Sequence, residues 1–85
     1  MRVAFTAPFK RDYERLPASL QEKVDRQIRR LLENARHPSL GVKKMEGREA
    51  ILEVRITKAY RMTFQVSGAT YLLRRVGTHD ILKTP

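Results

Sequence analysis

Cysteine is absent from the 85 residues, which excludes disulfides, thiolate metal sites and cysteine nucleophiles together. Acidic side chains are scarce: nine Asp and Glu stand against eighteen Lys and Arg, a formal net charge of +9 at pH 7. No apolar run approaches the roughly 18 residues of a membrane helix, and no signal-peptide pattern opens the chain. The expected compartment is therefore the cytoplasm, with no membrane partner. Repeats, linkers and low-complexity stretches are also lacking, so residues 1–85 read as one small domain. What remains suffices for a core, with 41% of residues hydrophobic and 32% charged, a globular balance.

The positive field narrows the partners to nucleic acid, anionic membrane or an acidic protein surface, and carries no information about fold. Most of the basic residues are arginine, whose planar guanidinium suits two-point phosphate contact better than a lysine ammonium does.

Val3-Ala4-Phe5 reads as a short strand ended by Thr6-Ala7-Pro8. A helical pattern runs from Pro8 to Arg15, with Phe9, Tyr13 and Leu16 on one side. Pro17 stops it and can begin a second helix, from Pro17 to about Asn34. There Leu20, Val24, Ile28, Leu31 and Leu32 form an apolar stripe, while Lys23, Arg26, Arg29 and Arg30 fall largely off it. Pro38 ends that segment by disfavouring helical backbone at His37. Beyond Leu40 the period changes to two. Leu52, Val54 and Ile56 alternate with Glu53, Arg55 and Thr57 in one strand, and Tyr60, Met62, Phe64 and Val66 mark the next. Ser67-Gly68 is a turn of hairpin length. Thr70 to Val76 is a third strand, apolar on both faces and so central, and Gly77 is expected to break it. The order predicts an α+β domain: an N-terminal strand and a two-helix hairpin on one face of a twisted, mainly antiparallel sheet. Glu53, Arg55 and Arg61, with Arg75 and His79, are then left on the opposite face.

With Arg36-His37-Pro38-Ser39-Leu40, Glu53-Val54-Arg55-Ile56-Thr57, Tyr60-Arg61-Met62-Thr63-Phe64 and Val76-Gly77-Thr78-His79-Asp80 in this order, the chain resembles the RelE/ParE superfamily of toxins from type II toxin–antitoxin pairs. The YoeB-like and HigB-like members look nearest, because no Tyr follows His79 where RelE carries a stacking one. The resemblance implies a RelE-like fold and a ribosome-associated, metal-independent mRNA endoribonuclease that cleaves RNA through its own 2′-hydroxyl. That chemistry needs a base, cations facing the phosphorane and an acid for the departing 5′-oxygen. The expected catalytic residues are Glu53 as base, Arg61 on the scissile phosphate and His79 as proton carrier. Arg55, Lys43, Lys44 and Arg75 are the expected substrate-binding cations. No cofactor or metal is expected; the two histidines lack a suitable carboxylate cluster. The implied partners are a cognate antitoxin, mRNA and the ribosome with its rRNA, and operator DNA only through the antitoxin.

Plainer readings stand beside these. Glu53 and Arg55 also fit an ion pair on a solvated face, and His37 fits a loop position. Lys23, Arg26 and Arg30 fit a solvated helix face, or contact with RNA phosphates. A ParE-like inhibitor of DNA gyrase without nuclease activity, or a toxin reduced to antitoxin binding, has the same fold and charge.

Overall fold

A computed structural model describes residues 1–47 and 50–85. The N-terminal strand β1 (Arg2–Phe5) is followed by helices α1 (Ala7–Glu14) and α2 (Ala18–Glu33). Next come a 3-10 turn at Pro38–Leu40, a two-residue strand β2 (Lys43–Lys44), and strands β3 (Leu52–Arg55), β4 (Tyr60–Ser67) and β5 (Thr70–Thr78). A second 3-10 helix, His79–Lys83, completes the order. This is the expected α+β architecture, with β2 as an addition the alternation of the sequence does not signal.

Local chemistry accounts for the helix boundaries. The Thr6 hydroxyl accepts from the Phe9 N–H and caps α1. Pro17 stands just outside α2 as its cap in extended backbone, rather than as its first residue. In α2 the buried side chains are Val24, Gln27 and Leu31, while Leu32 is 39% exposed and leaves the predicted stripe. Helical rotation explains this, because positions 24, 27 and 31 share a face that excludes 32.

The sheet order is β1-β5-β4-β3-β2, with β1 parallel to β5 and the other neighbours antiparallel. β5 is central, as its two apolar faces suggest. Val54, Met62, Phe64, Leu73 and Val76 meet Phe9, Val24, Leu31 and Leu40 in one core.

The opposite face is less open than the alternation predicts. Thr63 is fully buried where the chain after β5 folds back against it, and Glu53 is 6% exposed beside Arg61. Ile81 lies against Gly77, where an added Cβ would come within 2.8 Å of its Cγ2. Gly77 therefore does not break the strand, which continues to Thr78; the missing side chain makes room for the returning helix. The Thr63 hydroxyl and the Arg74 Nε both donate to the Pro85 carbonyl, at 3.4 and 3.0 Å.

Candidate functional site

Pairing places Glu53 opposite Thr63 and Arg55 opposite Arg61, and Arg61 in turn opposite Gly77. Directly opposed residues share a face, so these side chains stand on the side of the sheet away from the helices. The Arg61 Nε lies 3.3 Å from the Glu53 Oε1, and the Lys43 Nζ approaches the same oxygen at 4.0 Å. The two ends differ in kind: the Glu53 and Arg61 side chains are 8% and 13% exposed, and Lys43 is 70% exposed. Screening makes the lysine contact weak, while the Glu53–Arg61 pair is largely sheltered from water.

Arg61 is also fixed from its other end. Its Nη1 donates to the carbonyls of Thr57, Lys58 and Tyr60 in the β3–β4 turn. The Thr57 hydroxyl accepts from the amides of Ala59 and Tyr60 and closes that turn. The guanidinium is thus held in one orientation by a carboxylate and three carbonyls before any ligand arrives, and a fixed fork loses little entropy on binding.

The remaining expected site residues divide. Arg55 is exposed beside Arg61 in register, so two cations share one row. His79 begins the second 3-10 helix, just past the Thr78–Tyr60 pair, at the end of the sheet that carries the Arg61-braced turn. It is exposed and makes no hydrogen bond among the described residues. Lys44 pairs with Leu52, which packs on the core, and so stands on the face opposite to Lys43.

Arg75 is drawn elsewhere. Its Nε and Nη2 meet the Asp12 carboxylate at 2.6 and 3.2 Å, and its Nη1 donates to the Thr84 carbonyl and hydroxyl. The Val76 amide donates to the same carboxylate. The hydrogen bond to Asp12 raises the Arg75 pKa above its ordinary value and outweighs the opposing effect of burial. Arg75 clasps α1, β5 and the returning chain together.

Two arrangements were not read from the sequence. Asp12 lies 63 residues from Arg75, and no local pattern marks such a pair. The second is a latch around α2. The buried Gln27 donates from Nε2 to the carbonyls of Ser39 and Arg55, at 3.1 and 2.7 Å. Arg30 donates to the Gln27 Oε1 and the Ser39 hydroxyl. His37 Nδ1 accepts from the Ser39 amide, so its loop position has a capping role. The one available signal was a glutamine on the apolar stripe.

Among the described residues no three histidine or acidic side chains gather closely enough to hold a metal ion. None of the helices is long and apolar enough to cross a membrane.

Residues 18–80 match the family model of the ParE-like toxin domain. The comparison with curated proteins gives no match. Among solved structures, the chain is similar to the YoeB/ParE toxin from Agrobacterium tumefaciens, at 24% identity over 93% of this chain and 99% of that one, with a TM-score of 0.82. It is similar to the chain from the RelB–RelE antitoxin–toxin complex of Methanococcus jannaschii at 21% identity, over 94% of each chain, with a TM-score of 0.75. The YoeB dimer from Staphylococcus aureus is 14% identical, over 93% of this chain and 97% of that one, with a TM-score of 0.79. At these identities the likeness shows a shared fold.

Proposed function

Since the chain belongs to the ParE-like toxin domain family, we propose that it is the toxin of a toxin–antitoxin pair and that it cuts ribosome-bound mRNA at the site around Arg61. The observation that carries this reading is the pre-fixed Arg61 guanidinium, 3.3 Å from the sheltered Glu53 carboxylate, with Arg55 beside it in register.

In the proposed reaction the RNA 2′-oxygen forms a bond to the adjacent phosphorus, and the bond from phosphorus to the 5′-oxygen breaks. The 2′-hydroxyl proton passes to Glu53, and protonated His79 gives one to the departing 5′-oxygen. A 2′,3′-cyclic phosphate and a 5′-hydroxyl result. Arg61, Arg55 and Lys43 oppose the charge that develops on the phosphorane. A histidine side chain can both take up and release a proton, which suits the acid role given to His79. Lys44, on the other face, and Arg75, engaged by Asp12, receive no substrate role.

The partners proposed with this activity are mRNA, the ribosome and an antitoxin acidic where it meets the toxin, since +9 on 85 residues favours neutralisation by such a segment. Contact with operator DNA would run through the antitoxin. The antitoxin–toxin assembly of the Methanococcus jannaschii relative supports this partner class.

Cleavage of ribosome-bound mRNA by wild type and His79→Ala is the test. His79 is exposed and makes no hydrogen bond among the described residues, so its loss is expected to leave the fold intact and the rate to fall roughly 100-fold. Equal rates would reject the site. One observation favours a second reading: Arg61 Nη1 is already committed to three turn carbonyls, which suits a binding surface as well as a nuclease. Inhibition of gyrase supercoiling with mRNA left intact would select that ParE-like alternative.

A further inference from the structure

On the far side of the turn that Arg61 braces lies a hollow of about 280 Å³ lined by Lys23, Arg26, Gln27, Arg30, Ser39, Arg55, Ile56 and Thr57. Three of these, Lys23, Arg26 and Arg30, bring their charge from α2, none is acidic, and Arg55 borders the hollow where its carbonyl accepts from Gln27. Lys23, Arg26, Gln27 and Arg30 follow the i, i+3, i+4, i+7 spacing of one helix face, which brings three positive charges from α2 to one strip. Of the nearby acids, Asp25 accepts from the Tyr13 hydroxyl and the Glu53 carboxylate faces Arg61, while Glu22 stands four residues before Arg26 and offsets only part of the strip's positive charge.

We propose that this hollow is a second phosphodiester-binding site, which holds the backbone of an RNA strand beyond the linkage at Arg61. Three features point to phosphate rather than to a merely solvated face. Lys23, Arg26 and Arg30 outnumber the carboxylate beside them, Glu22, which lies four residues before Arg26; the excess positive charge repels itself in the free protein, and a bound anion relieves that repulsion. Arg30 is oriented by Gln27 and the Ser39 hydroxyl, and Gln27 is itself 5% exposed and fixed by two carbonyls. Finally, Arg55 and Thr57 belong to both places: Arg55 pairs in register with Arg61, and the Thr57 carbonyl accepts from it. These two residues lie between the places, and a single strand would pass them in running from one to the other. The inference shares with the proposed activity only the chemical class of its ligand, and its test requires no cleavage.

The probe is a short, fluorescently labelled 2′-O-methyl RNA, which has no free 2′-hydroxyl and cannot be cut by this chemistry. Binding to the full chain is followed by anisotropy across a salt series. Lys23→Gln with Arg26→Gln removes two cations that make no internal hydrogen bond among the described residues; affinity is expected to fall roughly tenfold, and the log–log salt slope to shrink by about 0.7 per lost phosphate contact. Lys10→Gln with Arg11→Gln is the control, since it removes the same charge from α1, outside the hollow. Equal losses in both pairs, or no loss in either, would overturn the proposal. Retained RNA affinity with lost affinity for a poly-glutamate peptide would also overturn it and make the hollow the seat of an acidic protein. Cleavage lost in His79→Ala leaves this measurement untouched, so the two proposals fail separately.

Discussion

Arg61 holds a turn and faces a carboxylate at once, so its substitutions separate stability from chemistry. Arg61→Ala strands Glu53 in a sheltered position and frees three carbonyls, and is expected to destabilise by about 3 kcal/mol, seen in chemical denaturation. Glu53→Gln can still accept the Arg61 N–H, so it should fold almost as well as wild type while losing as much kcat as Glu53→Ala. An active Glu53→Gln protein would make that carboxylate a positioning residue rather than the base. Gly77→Ala is a test of space. Its methyl would meet Ile81, with a cost of about 1–3 kcal/mol from overpacking, and Ile81→Ala in the same chain should recover most of it. Tyr13 supplies a pH signature. Donation to Asp25 favours the protonated phenol and raises its pKa above the ordinary 10.0. The stabilisation is complete below the unfolded-state value and disappears as pH rises through the folded one. The stability gap between wild type and Tyr13→Phe, about 1 kcal/mol at neutral pH, should therefore close above pH ~10.

Among the elements, α2 was the most legible, because a 3.6-residue period over four turns leaves little ambiguity. Its polar exception was not legible. Gln27 sits on the buried face and ties α2 to the Pro38–Leu40 turn and to the end of β3. Gln27→Leu keeps the volume but leaves two carbonyls without their donor, so a loss of roughly 1–3 kcal/mol is expected in thermal unfolding. Hydrogen exchange should quicken in the 38–41 segment first, because that turn loses its anchor to the helix. Strands β3 and β4 showed their alternation plainly, and with it the row of Arg55 and Arg61. The sequence offers Lys43 and Lys44 together as substrate contacts; adjacent residues on a strand face opposite sides, and pairing with β3 divides them.

At the scale of the whole molecule, the chain after β5 returns across the sheet and is fastened by Arg75 to Asp12 and Thr84, and by Thr63 and Arg74 to Pro85. Asp12→Ala removes the α1 side of that fastening and is expected to lower both the melting temperature and, through the 3-10 helix that begins at His79, the rate of RNA cleavage. The sequence by itself determined the α+β class, the central place of β5, the excess of positive charge and the exclusion of thiol chemistry. Each of these depends on composition or on a local period, and neither needs a distant partner to be read. Tertiary structure alone decided that Arg75 turns to Asp12, that Glu53 lies sheltered against Arg61, and that three α2 cations share a hollow with Arg55. Those outcomes join residues on different elements, from eight positions apart for Glu53 and Arg61 to 63 for Asp12 and Arg75, and sequence periods describe a side chain's face without naming what folds across it.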